Sequence, residues 1–183
     1  MKAFYSKFFL GTALLCLIPG LSSCREKPQQ VSIRHGQPAP EEKVDPFVKG
    51  NQRILALEQE EINLVVKRHK WQMEATGTGL MIQILSPGTG NYYAEGDSLS
   101  YNYKIKLLSG EEIYNSEKDG IKTFRIDKTE EIPALHEAAK LLKPQAKARL
   151  VIPSHLAYGA TGDGQRIKGR EALIMEVECL SLN

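Results

Sequence analysis

A tyrosine next to a glycine-rich loop is the first feature of this sequence that could take part in chemistry. In the stretch VIPSHLAYGATGDG, residues 151–164, a β-branched run ends at Pro153, and Tyr158 follows just before three glycines. A loop that only reversed the chain could be short and polar. The pattern therefore indicates that the Tyr158 ring is held at a strand end to contact something beside the loop.

Other reactive side chains lack the spacing that common catalytic and metal sites need. The sequence has no G-x-S-x-G motif, and Cys179 alternates into the apolar face of a predicted strand, so nucleophilic catalysis has no support. His69, His136 and His155 are isolated from one another and form no metal-ligand motif. The glycine-rich fragments GTGLM and GTGNYY do not lie between a strand and a helix, as a dinucleotide loop requires. The sequence predicts no cofactor and no metal ion.

Apolar and aromatic side chains are available to form a pocket beside the Tyr158 loop. Tyr103 points inward from a long predicted strand, and Ile132 opens a predicted helix. Ile167 follows the loop, and Met175 lies on the last predicted strand. The same residues could equally form an ordinary core, and periodicity alone leaves both interpretations open.

Period-two alternation predicts an antiparallel sheet in the second half of the chain. The clearest strand is DSLSYNYKIKL (97–107), in which apolar and aromatic residues alternate with Ser, Asn and Lys. The segments AKARLVI (146–152) and ALIMEVECL (172–180) repeat the pattern. Residues 79–85 and 123–126 are shorter candidates for strands.

One short helix is predicted within this region, in IPALHEAAKLLKP (132–144). Pro133 suits the first turn of a helix, and Pro144 prevents its continuation. Its predicted buried stripe consists of Ile132, Leu135, Ala139 and Leu142. A sheet that is apolar on one face and a helix that covers this face predict a small α+β domain over residues 77–183.

The first 23 residues are typical of a secretory signal. Lys2 and Lys7 precede an apolar run that is too short to span a bilayer, and small residues follow it. The sequence LSSC, which ends at Cys24, resembles the bacterial lipobox, where the cysteine is acylated; ordinary signal cleavage is the alternative. Without residues 1–23 the chain has 22 basic and 22 acidic side chains, with no block of like charge that would indicate nucleic-acid binding.

Two further segments connect the signal to the predicted sheet. Residues 24–46 are polar and rich in proline, which predicts a flexible linker from the lipid anchor. Apolar residues recur near a 3.6-residue period over 47–74, which predicts an amphipathic helix within a segment spanning 47–76. This helix either packs on its own domain or pairs with an identical copy to form a homodimer.

The order of these elements resembles the FKBP-type peptidyl-prolyl isomerase domain. The matching segments are ILSPGTG, GDSLSYNYKIKLLSGEEIYNS, EEIPALHEAAKLL, VIPSHLAYGATG and ALIMEVECL, and the P-x-x-L-A-Y-G-x-x-G piece is highly specific. The resemblance implies a strongly bent antiparallel sheet wrapped around one short helix, and proline-containing polypeptides as substrates. The helix and lipobox before the domain resemble anchored members of the family, including the gliding-motility-associated lipoproteins.

The resemblance also implies roles for individual residues. The Tyr158 hydroxyl and the Ile132 backbone N–H would donate hydrogen bonds to substrate carbonyls, while Tyr103 and Phe124 would form walls of the site. Tyr103, Tyr158 and Ile132 are thereby implied as the catalytic residues. The implied substrate pocket contains Ile113, Tyr114, Phe124, Leu135, Ile167 and Met175.

Several of these positions depart from the family's usual pattern. Ile113 and Tyr114 stand where the family usually has Phe-Asp, and Leu135 stands where many members carry tryptophan. Glu131 replaces a usual valine, and Met175 replaces a phenylalanine. We therefore expect reduced isomerase activity and weak binding of the family's macrolide inhibitors.

Taken with the signal, the resemblance predicts a peptidyl-prolyl cis-trans isomerase that assists folding of exported proteins at the bacterial cell envelope. Acylation of Cys24 would hold it on the extracytoplasmic side of a membrane. The alternative is a catalytically weak or inactive peptide-binding or chaperone module that uses the same pocket.

Overall fold

The computed structural model describes residues 45–180, which form a seven-stranded antiparallel sheet with a helix packed on each face. The strands are β1 (Glu74–Ala75), β2 (Met81–Ser86), β3 (Ser98–Leu107), β4 (Glu112–Asn115), β5 (Lys122–Arg125), β6 (Lys147–Ile152) and β7 (Leu173–Cys179). The helices are α1 (Pro46–His69), α2 (Ser116–Asp119) and α3 (Pro133–Ala139), and a 3-10 turn spans Ser154–Leu156. The predicted α+β class is confirmed. The predicted signal over 1–23, Cys24 and nearly all of the linker lie outside the described residues.

The strand order is β1-β2-β6-β7-β3-β4, and β5 also pairs with β3. One edge of β3 pairs with β7 from Tyr101 to Leu107. Two short strands share the other edge: β5 pairs with Ser98–Tyr101, and β4 pairs with Lys104–Lys106. Between them, the backbone N–H of Tyr103 donates to Ser116 Oγ at 3.1 Å, so the first residue of α2 replaces a strand partner. The outer edge of β3 is thus interrupted at Tyr103.

The core lies between the sheet and α3. The alternating residues Leu99, Tyr101, Tyr103 and Ile105 of β3 are all at most 4% exposed, as period-two burial requires. The stripe predicted for the helix in 132–144, namely Ile132, Leu135, Ala139 and Leu142, is buried in the same cluster. α3 itself is shorter than predicted, because it ends at Ala139, so Ile132 and Leu142 flank it.

Helix α1 is shorter than the sequence predicts. Asp45 caps its first turn by accepting a hydrogen bond from the Phe47 N–H at 2.8 Å, and Pro46 occupies the first turn. Lys70 adopts a left-handed conformation with φ of 56°, which ends the helix. The prediction of helix as far as residue 74 is therefore wrong, because Glu74 begins β1 and pairs with Ile82.

The C-terminal half of α1 packs on the sheet face opposite α3. Ile62 and Val65 are buried, and the same small cluster contains Val151, Ala172 and Ile174 of the β6–β7 region. The other predicted stripe residues behave differently: Val66 is only partly buried, and Ile54 and Leu57 are 39% and 57% exposed. Only the last turns of the predicted stripe therefore pack against this domain.

The division at residue 77 remains a prediction. The residues before it contribute to the fold, because β1 pairs with β2 and α1 packs on the sheet. Among residues 45–180 no helix is long and apolar enough to cross a membrane.

We expect Ile62→Ala to lower the free energy of unfolding by about 2–4 kcal/mol, because it leaves a cavity between α1 and the sheet. Leu64→Ala is the matched control, since Leu64 lies on the same helix but is 55% exposed; its effect should stay within about 0.5 kcal/mol. Urea denaturation of both variants measures the difference. Equal effects would show that α1 does not pack on the sheet in solution.

Candidate active site

A cavity of about 440 Å³ opens beside the point where the outer edge of β3 changes partners. Residues of β3, β4, α2 and β5 form one side, and the loop after the 3-10 turn forms the other. The lining contains three tyrosines and five polar or charged side chains: Tyr103, Tyr114, Tyr158, Asp119, Lys122, Asp163, Gln165 and Arg166. The lining is therefore more polar than the apolar pocket that the sequence predicts.

Tyr103 lies at the interruption in the β3 edge. Its side chain belongs to the buried face of β3, and the residue is 4% exposed. The Lys122 ammonium lies 5.3 Å from the centroid of its ring, and the Tyr101 ring packs at 5.8 Å on another side. Burial raises the pKa of the Tyr103 hydroxyl, and Asp119 and Glu131 add to this shift. The hydroxyl therefore stays protonated at neutral pH.

The 3-10 turn fixes the backbone on both sides of Tyr158. The Ser154 carbonyl accepts hydrogen bonds from the N–H groups of Ala157 at 3.1 Å and Gly159 at 2.8 Å. Ser154 is itself held by Glu58 of α1, whose carboxylate accepts from the Ser154 N–H at 2.7 Å and from its hydroxyl at 3.1 Å. The N-terminal helix therefore supports the turn that carries Tyr158.

The Tyr158 hydroxyl is a hydrogen-bond donor at physiological pH. Burial raises its pKa to about 12, and the nearby carboxylates of Glu131 and Asp163 act in the same direction. Within residues 45–180 the hydroxyl makes no hydrogen bond, although it lies at the cavity wall. A ligand carbonyl that enters the cavity would meet a donor that no other described group occupies.

Asp163 organises the loop on the far side of the cavity. Its Oδ1 accepts from the N–H groups of Gln165 at 2.8 Å and Ile167 at 2.9 Å, and its Oδ2 accepts from the Tyr114 hydroxyl. Burial by itself raises the pKa of the Asp163 carboxyl, but the hydrogen bonds from Tyr114 and the loop backbone outweigh burial, so the pKa is lowered. The carboxylate therefore stabilises the fold above the ordinary pKa of aspartate, and this contribution is lost as the pH falls through the lowered value.

The predicted donor at Ile132 is occupied in the structure. The Ile132 N–H donates to Glu131 Oε1 at 3.0 Å, and the Tyr101 hydroxyl donates to Glu131 Oε2 at 3.2 Å. The Ile132 N–H is therefore already engaged, although the resemblance implies that it donates to a substrate carbonyl. A substrate carbonyl could reach this N–H only if the Glu131 carboxylate turned away.

The remaining predicted pocket residues lie behind the cavity lining. Phe124 is 4% exposed and packs edge-on against Tyr101, at 5.8 Å between ring centroids. Leu135, Ile167 and Met175 are at most 3% exposed and belong to the main core. Ile113 is half-buried on β4, and its carbonyl accepts from Arg166 at 3.1 Å. These residues support the lining without forming it.

Five lining residues were assigned no role from the sequence: Asp119, Lys122, Asp163, Gln165 and Arg166. Arg166 links both sides of the cavity, because its guanidinium lies 4.9 Å from the Tyr114 ring centroid and 3.6 Å from Asp119. No local spacing joins residues 119, 122 and 166 in the sequence. No group of three or more His, Cys, Asp or Glu that could hold a metal ion occurs in the part of the chain that the structure describes.

Comparison with known proteins shows which kind of domain carries this cavity. Residues 90–180 match the profile of the FKBP-type peptidyl-prolyl cis-trans isomerases, and this region holds all eight lining residues. The match covers just under half of the chain. The matched region contains the whole cavity lining, whereas α1, β1 and β2 precede it.

Similar proteins share part of their length with this chain. FkpA from Escherichia coli is 35% identical over 111 residues, which is 60% of this chain and 40% of that relative. A crystal structure of FkpA from the same organism gives a TM-score of 0.60 at 31% identity and covers 74% of this chain and 63% of that chain. A peptidyl-prolyl isomerase structure from Pseudomonas syringae pv. tomato also gives 0.60, at 27% identity, over 80% of this chain and 98% of that chain. These matches confirm the FKBP-like fold, while the chain spans less than half of the curated FkpA sequence.

Two glycines of the site loop provide a matched test of its geometry. Gly162 and Gly164 both have left-handed backbones, with φ of 77° and 73°. A Cβ on Gly162 would lie 2.2 Å from the Ile167 carbonyl oxygen, whereas a Cβ on Gly164 meets nothing within 4 Å.

We expect Gly164→Ala to cost about 1–2 kcal/mol of unfolding free energy through backbone strain alone. Gly162→Ala should cost roughly 1–3 kcal/mol more, because the loop must move to relieve the overlap. Thermal or urea denaturation measures the stability of both variants. Equal losses would contradict the close approach of residues 162 and 167.

Proposed function

We propose that the protein is a peptidyl-prolyl cis-trans isomerase that acts on exported polypeptides at the bacterial cell envelope. The observation that carries this proposal is the Tyr158 hydroxyl, a protonated donor without a partner in residues 45–180, on the wall of a cavity in an FKBP-type domain. The proposed substrates are proline-containing polypeptides.

The chemistry asked of the site is rotation about a single bond. A planar prolyl amide is stabilised by resonance, with a rotation barrier of about 18–20 kcal/mol, and unaided isomerisation takes about 10–100 s. The twisted transition state has lost that resonance, so a site that fits it better than the planar amide lowers the barrier. No covalent intermediate is needed, which agrees with a site built on hydroxyl donors and packed rings.

Tyr158 and Tyr103 would act differently on this bond. The Tyr158 hydroxyl would donate to a substrate carbonyl and fix one side of the rotating bond. Tyr103, held at the interrupted β3 edge, would form the wall against which the proline ring packs. The Ile132 N–H is a proposed second donor, which becomes available when a substrate carbonyl displaces Glu131.

We expect the purified full-length protein to accelerate isomerisation of a proline tetrapeptide, measured by a protease-coupled assay. Tyr158→Phe should lower kcat/KM about twofold to tenfold, which is the effect expected from losing one hydrogen bond that forms in the transition state. Tyr103→Phe is measured alongside it. Tyr92→Phe is the matched control, because Tyr92 is 62% exposed and outside the cavity.

The result that overturns the enzymatic proposal is a wild-type rate no higher than that of the uncatalysed reaction. A Tyr158→Phe variant as active as wild type would instead remove the proposed role of this hydroxyl. Tyr92→Phe reports any general effect of removing a tyrosine hydroxyl from the protein.

A second candidate function is a peptide-binding or chaperone module with weak or no turnover. The observation that favours it is the Glu131 carboxylate, which occupies the Ile132 N–H and adds a charge beside Tyr158 and Tyr103. Prolyl peptides that bind without faster isomerisation would identify this function. The departures at Ile113-Tyr114 and Leu135 agree with either reduced activity or this module.

We further propose that the protein is a lipoprotein member of the family, like the gliding-motility-associated lipoproteins it resembles. Support comes from the signal-like residues 1–23 and from the lipobox-like sequence that ends at Cys24. Acylation would add about 0.8 kcal/mol of membrane affinity for each buried methylene, so several acyl chains would hold the protein firmly.

We expect the wild-type protein, expressed in bacterial cells, to be labelled by a palmitate analogue and to sediment with the membranes. Cys24→Ser should abolish labelling and release the protein into the soluble fraction. Cys179→Ser is the matched control, since Cys179 is buried in β7. Labelling that survives Cys24→Ser would rule out this anchor.

Association of two copies through the helix predicted at 47–74 is a separate proposal. The N-terminal half of α1 supports it, because this half presents exposed apolar residues. These residues are Phe47, Val48, Ile54 and Leu57, which are between 39% and 81% exposed.

A further inference from the structure

Some hydrogen-bonding groups of the cavity lining have partners within the protein, and others do not. Asp163 accepts bonds from Tyr114, Gln165 and Ile167, so its carboxylate is already engaged. Asp119 Oδ2 accepts from the Asn115 N–H at 2.9 Å, and its other oxygen faces the Arg166 guanidinium. The two carboxylates of the lining therefore have partners within the protein.

The two cationic side chains of the cavity, Arg166 and Lys122, differ in whether they have partners within the protein. Arg166 is paired with Asp119 and also donates to the Ile113 carbonyl. Lys122 lines the same cavity and is half-buried, yet its ammonium makes no salt bridge and no hydrogen bond to any residue in 45–180. Its described contact is the face of the Tyr103 ring. Such a contact contributes about 0.5–1 kcal/mol when exposed, and it leaves the three ammonium N–H groups without acceptors.

The nearby Glu131 carboxylate does not supply an acceptor for the Lys122 ammonium. It acts on Tyr158 and Tyr103, whose pKa values it raises, but both of its oxygens accept bonds, from Ile132 and Tyr101. No salt bridge joins it to Lys122 among the described residues. Among the charged side chains of the lining, Lys122 is thus the one without a salt bridge or hydrogen bond in residues 45–180, and it lines the same cavity as the Tyr158 hydroxyl.

We propose that Lys122 makes this site selective for prolyl peptides that carry Asp or Glu next to the proline. The inference rests on the proposed function, because it assigns the substrate class of the same cavity. A peptide carbonyl would satisfy Tyr158, while a side-chain carboxylate would satisfy Lys122 through a charge-assisted hydrogen bond. The Tyr103 ring would keep the Lys122 ammonium beside the cavity, where a substrate carboxylate can reach it. Lys122 is thus a specificity-determining residue.

The test compares peptides that differ only in charge. Two series of tetrapeptides carry Glu, Gln or Leu, either directly before or directly after the proline. Gln has nearly the shape of Glu, so the Glu-to-Gln ratio of kcat/KM isolates the carboxylate charge. The full-length protein is assayed as wild type, as Lys122→Gln and as Lys122→Glu.

Lys143→Gln is the matched control. The Lys143 ammonium lies 4.6 Å from the centroid of the Tyr92 ring, so it makes the same kind of contact as Lys122 but outside the cavity. Its removal changes the net charge equally and should leave the Glu-to-Gln ratio as in wild type.

In wild type we expect the Glu peptide of at least one series to exceed its Gln partner about twofold to fivefold, as one partly exposed ion pair allows. Lys122→Gln should bring the ratio to about one, and Lys122→Glu should invert it. Raising the salt concentration should reduce the wild-type ratio, because ions screen the pair.

Equal ratios in wild type and Lys122→Gln, in both series, would overturn the proposal. Turnover of the Leu peptides in that case shows that the isomerase function itself stands. If no peptide is turned over, calorimetric dissociation constants for the Glu and Gln peptides give the same ratio without catalysis. A lower dissociation constant for the Glu peptide would then support charge selectivity even though the enzymatic proposal had failed. Equal dissociation constants would overturn the selectivity proposal as well.

Discussion

The outer edge of β3 is longer than any strand that pairs with it, and the candidate site depends on this mismatch. β3 has ten residues, while β4 and β5 have four each and take opposite ends of its edge. The backbone between these ends still needs partners, because a buried N–H without an acceptor is costly. Ser116 supplies the acceptor for Tyr103, which brings α2 to the edge. The interruption thereby leaves space for a cavity beside a buried tyrosine.

The loop that closes the cavity is fixed by polar contacts, since its glycines provide no side-chain packing. Asp163 accepts two backbone bonds within the loop and one bond from Tyr114 on β4. Glu58 holds Ser154, whose carbonyl holds the backbone around Tyr158. Both carboxylates therefore position the site: Asp163 from the cavity lining and Glu58 from α1. This arrangement explains how a flexible sequence can present a ring in one orientation.

The sequence predicted the elements whose burial follows a regular period. The β3, β6 and β7 segments and the stripe of α3 were recognisable because each alternates or repeats against one core. The predicted helix extends too far, because it includes Glu74, which belongs to β1. A strand of two residues is too short to show an alternating pattern in the sequence. The stripe predicted for α1 also continues beyond the part that packs on the sheet, because periodicity reports an apolar face and not what covers it.

The site was predictable only where a family motif carried it. Tyr103 and Tyr158 line the cavity, and the resemblance had singled out both. The charged residues Asp119, Lys122 and Arg166 were missed because strand pairing and a long loop bring them together, and no local spacing reports such convergence. Glu131 was noted as a departure, but its bond to the Ile132 N–H depends on a side-chain rotation that sequence does not encode.

The position of β7 determines when this domain can close its core during synthesis. β7 lies in the middle of the sheet, between β6 and β3, although its residues 173–179 come last among the described elements. Until they arrive, β1-β2-β6 and β3-β4-β5 remain separate groups with open edges, which invite pairing with other chains. A partly synthesised chain therefore has no closed core behind Tyr103. The cavity beside Tyr103 consequently cannot form until β7 has been synthesised and has paired with β6 and β3.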